Sequence, residues 1–259
     1  MYSHINFGYA WYWTYGHLLV TAIFLPLFWL AWIRKWPKPL LAILGAVTLW
    51  SIAAFLVMRL GMNMNGRAPL PTEAFLPSGS GRVLDMGAGT GRSTLMVLEA
   101  RPRAFVVALD SFSDEYVHHF GNAGNGKQVP DQGRERLLLN LKAAGADQRA
   151  AIQAGDMRQM PIQSAAFDGV VSAYAIDHLN RDGIHKALGE ASRVLKPRGQ
   201  FLLMVLAKDA WFELAFAPIF LHTRLPGRET WTGFLHDAGF EVLETGTRPA
   251  TLYFLARKP

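Results

Sequence analysis

The stretch Arg82-Val83-Leu84-Asp85-Met86-Gly87-Ala88-Gly89-Thr90-Gly91-Arg92-Ser93-Thr94-Leu95 decides the fold. Arg82 to Met86 has the pattern of a buried strand, the glycines read as a tight turn, and Ser93 onward reads as a helix. Glycines at such a turn let the backbone approach a ligand closely and lead it into a helix N-terminus, whose unpaired N–H groups favour negative charge. Alone, a turn of this kind fits a nicotinamide site, another nucleotide site, or no site at all.

The features that follow it come in a telling order. Val106-Val107-Ala108-Leu109-Asp110 is a second short strand ending in an acid, where a ribose diol needs a bidentate acceptor. Ala151 to Gln153 is a third, followed by Gly155-Asp156-Met157, and Phe167 to Tyr174 is a fourth. Glu190-Ala191-Ser192-Arg193-Val194-Leu195-Lys196-Pro197-Arg198-Gly199-Gln200 then closes a helix and turns into a fifth strand, Phe201 to Leu206. Strands alternating with helices in this way predict an α/β fold with a largely parallel sheet.

With these residues in place, the sequence from Arg82 to Pro259 resembles the class I S-adenosylmethionine-dependent methyltransferases, particularly the small-molecule type that includes quinone and lipid enzymes. The resemblance implies a Rossmann-like seven-stranded sheet with helices on both faces and S-adenosylmethionine as cofactor. It implies that Gly87-Ala88-Gly89-Thr90-Gly91 cradles the methionine part with Asp85 nearby, and that Asp110, followed by Ser111, binds the ribose hydroxyls. It further implies that Asp156 takes the adenine amino group with Met157 against the ring, and that Tyr174 also borders the cofactor. Arg193 to Pro197 matches the family's helix end before strand five, where the usual Gly-Gly is Arg198-Gly199 here. A nicotinamide enzyme leaves Arg193 to Lys196 and Asp156 without a role.

The N-terminal part is of another kind. The apolar fraction is 51% and the mean hydropathy is positive. No Lys, Arg, Asp or Glu occurs from Ile5 to Ile33, and a second uncharged run covers Pro39 to Met58. Each is long enough to span roughly 30 Å of hydrocarbon. The expectation is a membrane anchor over 1–60 with two transmembrane helices, about 9–33 and 39–60, then a Pro- and Gly-containing linker over 61–81 and a methyltransferase domain over 82–259. Tyr9, Trp11, Trp13 and Tyr15 at one end, and Trp29, Trp32 and Trp36 at the other, have the placement of interfacial aromatic belts. A signal peptide would need a basic start, and none is present.

Charge follows the same division. Arg34, Lys35, Lys38, Arg59 and Arg67 face only Glu73 in the first 81 residues, so most of the net charge of +6 flanks the hydrophobic segments. That suits anionic headgroups and leaves the larger domain without a phosphate-tracking surface. The basic loop Arg34 to Lys38 favours the cytoplasm by the positive-inside rule, whereas a cytosolic cofactor places the catalytic domain there. The expectation follows the cofactor: a multi-pass membrane protein with the domain on the cytoplasmic side.

The acceptor is read by exclusion. Amino-methylating nucleic-acid enzymes carry an Asn/Asp-Pro-Pro-aromatic run after strand four, where this chain has Ser172-Ala173-Tyr174-Ala175, and cytosine-carbon enzymes need a cysteine, of which there is none. No nucleic-acid partner is expected, and no metal, since His spacing of the zinc kind is missing. Tyr174, Asp177 and His178 follow strand four beside the expected methyl group, where His178 can accept a proton and Asp177 or Tyr174 can orient an amine or hydroxyl. Tyr116, His118 and His119 lie in an insertion after strand two and are candidate substrate residues. Ala210 to Leu221, too short to span and broken by Pro218, either packs in the core or borders a lipid-side entrance. The expected substrate is small and hydrophobic or membrane-resident.

Overall fold

The computed structural model describes residues 4–112, 132–217 and 225–259. Two long apolar helices come first, α1 (Trp11–Ile33) and α2 (Lys38–Leu56), the second running on into a π-helical turn at Val57–Met62. They form an antiparallel hairpin. Thr21 and Ser51 share a hydroxyl hydrogen bond of 2.8 Å between the helices, and Phe28 of α1 fills the space beside Gly45 of α2. Small and hydroxylated residues at such a contact let two backbones approach closely.

The rest is built on one seven-stranded sheet: β1 (Ser80–Met86), β2 (Arg103–Asp110), β3 (Ala150–Ala154), β4 (Phe167–Ala173), β5 (Leu195–Leu206), β6 (Glu241–Arg248) and β7 (Thr251–Arg257). The order is β3-β2-β1-β4-β5-β7-β6, parallel except for β7, which runs against both its neighbours. Successive residues of β1 point to opposite faces, as a pleated strand requires. Leu84 joins Met86, Phe167, Trp231 and Phe254 in one core, while Val83 joins Leu95, Val106, Leu137 and Leu202 in the other. Helices α3 (Arg92–Ala100) and α4 (Gln132–Ala143) supply the second core, and α5 (Arg181–Val194) and α7 (Arg228–Asp237) the first. The Rossmann-like sheet expected from sequence is therefore present, with helices on both faces.

Two local details extend the sequence reading. Arg198 has φ 63°, the left-handed conformation that a glycine adopts without cost and that other residues adopt at about 1–2 kcal/mol. The residues read as a linker are also firmly attached. Phe75 is fully buried, Arg101 donates to the carbonyls of Glu73 and Phe75, and Gln200 bonds both Ala74 and Leu76.

A third cluster joins hairpin and sheet. Val57 and Met58 pack with Phe212, Ala215 and Phe216 of α6 (Ala210–Phe216) and with Ala250. Trp50 of α2 donates its indole N–H to Leu214 O at 3.0 Å. The described part of the apolar segment after β5, up to residue 217, thus packs against the base of the hairpin, with Trp211 half exposed.

If residues 61–81 are an integral layer, Phe75→Ala costs about 3–5 kcal/mol of stability, read from the urea midpoint in detergent. A loose linker would shift it by less than about 0.5 kcal/mol.

Candidate active site

The turn from β1 into α3 is shaped by what cannot fit there. Gly87 and Gly91 have φ of +84° and +92°, and a Cβ at either would overlap Ala175 or Leu137 respectively. Gly91 precedes α3 and offers no capping side chain. That task falls to Asp85 at the end of β1, fully buried, which accepts hydrogen bonds from the hydroxyls of Ser93 and Thr94 and from the Thr94 amide. Burial pushes its pKa up to about 6, against the lowering effect of those donors.

Asp110 ends β2 beside the same turn and is 3% exposed. One carboxylate oxygen accepts the Gly89 N–H at 2.9 Å and the other the Phe112 N–H at 3.0 Å. It braces the loop from the neighbouring strand. Ser111 is exposed next to it. The glycine turn opens on a cleft lined by Gly87, Ala88, Gly89, Thr90, Arg92, Ser93, Met96, Ala173, Tyr174 and Met204. Tyr9 and Ala68 complete the lining.

The far end of the cleft carries the residues after β4. Tyr174 has φ 54°, donates its N–H to Met204 O and shares a 2.7 Å hydrogen bond between its hydroxyl and Thr251 Oγ1. Burial raises its pKa, so the phenol stays protonated at neutral pH. Asp177 lies on a short 3-10 turn, Ile176–His178. One of its oxygens accepts the Leu206 N–H at 3.0 Å, while the other, Oδ1, is buried without a hydrogen-bond partner. Burial raises its pKa too, opposed by the Leu206 amide and by the charge of His178, which is itself exposed.

The structure does not gather all the sequence candidates. Asp156 is turned to Arg158, which bonds it bidentately, and both side chains are about half exposed. That hydrogen bonding holds the Asp156 carboxyl below the usual range. Met157, by contrast, reaches back against Gly87. Tyr116, His118 and His119 lie outside the described residues. Tyr9 needs a correction: it stands ahead of α1 and lines the cleft, and is not part of an aromatic belt. Asn65, Arg92 and Asn140 were not read as site residues: Asn140 bonds Thr90 of the glycine turn, Asn65 bonds the cleft-lining Tyr9, and Arg92, itself in the lining, bonds Gly66. Among the described residues no cluster of metal-ligating side chains occurs.

The comparisons with known proteins agree with this fold. A family model described as "Methyltransferase domain" matches residues 84–203. A malonyl-[acyl-carrier protein] O-methyltransferase of Nitrosospira multiformis is 29% identical over 164 residues, 63% of this chain and 50% of the relative. The ubiquinone/menaquinone biosynthesis C-methyltransferase UbiE of Syntrophotalea carbinolica is 30% identical over 127 residues, 49% of this chain and 44% of the relative. The chain thus spans about half the length of the curated relatives it matches. Among solved structures, the mitomycin 7-O-methyltransferase MmcR superposes with a TM-score of 0.54 at 16% identity, covering 90% of this chain and 60% of that one. The [4+2]-cyclase SpnF gives 0.53 at 18% identity over 72% and 78%. The fold and the glycine-rich turn define a class I S-adenosylmethionine-dependent methyltransferase, and this chain carries a domain of that family. Its cofactor is S-adenosylmethionine.

Asp85 has a pH signature. With a folded pKa of about 6 against an ordinary 3.8, it favours the folded state fully below about pH 4, and that contribution is lost as pH rises through about 6. Relative to Asp85→Asn, the wild type should gain about 2–3 kcal/mol between pH 7 and pH 4 in urea unfolding in detergent. A difference independent of pH would mean that Asp85 titrates at its ordinary value.

Proposed function

We propose that the protein is a membrane-anchored methyltransferase that moves a methyl group from S-adenosylmethionine to a hydrophobic or membrane-resident small molecule, such as a phospholipid amine, a quinone or a phenol. The observation that carries the membrane half is where the exposed apolar surface lies. Apart from Phe105, Leu138, Trp211 and Leu243, every exposed large hydrophobic side chain among the described residues falls between Trp11 and Leu60. Both helices there are long and apolar enough to cross a bilayer. A folded monomer rarely leaves a patch of that size to water.

The residues before α1 and after α2 both pack on the catalytic domain, through Phe7 and Met58. Both ends of the hairpin therefore share one side with the domain, the arrangement needed for a two-pass anchor facing a cytosolic cofactor. The cleft's far end, with Tyr174 and Met204, is built on the end of the sheet to which α6 and the hairpin base attach. A lipid-soluble acceptor reaching the cleft from the bilayer side would pass α6.

S-adenosylmethionine supplies a methyl group already activated by a sulfonium, so the protein's task is to hold the acceptor in line with the breaking bond and exclude water. Asp110 would hold the ribose and the glycine turn the methionine part, with Met157 against the adenine. The unpartnered Oδ1 of Asp177, three residues after the cleft-lining Tyr174, would accept a hydrogen bond from an acceptor amine or hydroxyl. Tyr174, fixed by Thr251, forms the wall beside it. Asp156 would have to leave Arg158 to reach an adenine amine.

One observation favours a second reading. The MmcR match covers 90% of this chain, so it takes in part of the chain ahead of β1. On that reading the hairpin belongs to a soluble fold and the acceptor is soluble. The SpnF match adds that the fold itself does not fix the reaction.

Three measurements separate these readings. Calorimetry should give S-adenosylmethionine binding to the wild type, weakened at least about a hundredfold in Asp110→Ala; an unchanged affinity would remove Asp110 from the site. Alkaline extraction should leave the protein in the membrane pellet, and its release in soluble form would favour the second reading. When isolated membranes are incubated with methyl-labelled cofactor, label should partition into organic solvent, and label confined to the aqueous phase would count against a lipid acceptor.

A further inference from the structure

The chain ahead of α1 lies as a strap across the glycine-rich turn. Thr90, inside that turn, donates its hydroxyl to Phe7 O at 2.9 Å. Asn140 of α4, 2% exposed, accepts the Asn6 N–H at 2.9 Å and donates to both Asn6 O at 3.0 Å and Thr90 O at 2.9 Å. One buried amide thus ties strap and turn together. Phe7 is fully buried in the core that contains Ala88, Leu95 and Leu137.

Tyr9 follows, and its backbone is held on both sides by a single side chain. Asn65, in the turn after α2, accepts the Tyr9 N–H at 3.1 Å and donates to Tyr9 O at 2.9 Å. The same turn is gripped by Arg92, whose guanidinium donates to the carbonyls of Met62, Asn63 and Gly66. Between them, these bonds set the Tyr9 ring as part of the cleft lining, with Tyr174 and Met204. Gly8, at φ +82° and with Arg136 packed against it, makes the bend that delivers Tyr9 there.

None of these strap residues belongs to the sheet domain, and the family model begins only at residue 84. We propose that the cofactor site has a wall supplied from outside that domain: Tyr9 is a cofactor-binding residue that covers bound S-adenosylmethionine or its demethylated product, and Asn65 is the positioning residue that holds it there. The proposal rests on the cofactor reading above. Its physical content is contact area and exclusion of water. An aromatic ring against a ligand removes apolar surface from solvent, and a side chain that fixes the ring's backbone reduces the ordering cost of that contact.

The test is a double-mutant cycle on binding of S-adenosylhomocysteine, measured by calorimetry on the full chain in detergent, with circular dichroism melting to verify the fold of each variant. Tyr9→Ala should raise Kd about tenfold, and Tyr9→Phe, which keeps the ring, should stay within about threefold of wild type. Asn65→Ala should raise Kd severalfold, and the double variant should bind no more weakly than Tyr9→Ala alone, because Asn65 acts through the ring. Wild-type affinity in Tyr9→Ala overturns the proposal while leaving the cofactor reading intact. Effects of Tyr9→Ala and Asn65→Ala that multiply overturn the positioning role. No binding by the wild type overturns the cofactor reading and this proposal together.

Discussion

Asp85 stands at the end of β1 without solvent contact, and its carboxylate takes the hydroxyls of Ser93 and Thr94 on the first turn of α3. Helix starts leave backbone donors unpaired, and Gly91 has no side chain with which to meet them. Moving the cap to the preceding strand resolves two demands at once. The turn between can consist of glycine, open to a ligand, while the helix behind it is still anchored. Asp110 repeats the device from β2 by holding the Gly89 amide. Two acids on neighbouring strands therefore fix a loop that has almost no side chains of its own.

That arrangement is also why the sheet was legible in the sequence. Asp85 and Asp110 fall at the carboxyl ends of β1 and β2, each following an apolar run that alternates between two cores, and Asp156 falls just after the partly exposed β3. The order of those runs carries the topology. Local pattern was less informative where the partner is remote or the chemistry is shared. Tyr9 stands close to Trp11, Trp13 and Tyr15, so composition grouped it with them, whereas its hydrogen-bond partner Asn65 is 56 residues away. Asn140 reads as an ordinary helical asparagine until Asn6, 134 residues earlier, is brought against it. Asp156 has Arg158 two residues on, and a nearby cation competes for any acid meant for a ligand.

The hairpin and the catalytic domain are joined by two different kinds of contact. On the α2 side the joint is apolar, with Met58 and Phe212 in a common cluster and Trp50 bonded to Leu214. On the α1 side, burial of Phe7 is joined by polar contacts through the backbone of Asn6, Phe7 and Tyr9 and the side chains that hold it. Apolar contact tolerates small sliding, whereas paired backbone hydrogen bonds fix a register. The α1 end, which meets the glycine turn, is thus the end held by directional bonds.

The strap has a further consequence for how the chain is made. Synthesis runs from the N-terminus, so Asn6 and Phe7 leave the ribosome long before Thr90 and Asn140, their partners 83 and 134 residues later. Closing loops of that length is entropically costly and slow when the ends are free. Pairing of α1 with α2 shortens the path, because it brings the strap beside Asn65 before any of the sheet exists. The nascent domain would then fold towards a segment made before it, and its pocket would be completed by residues translated ahead of the sheet.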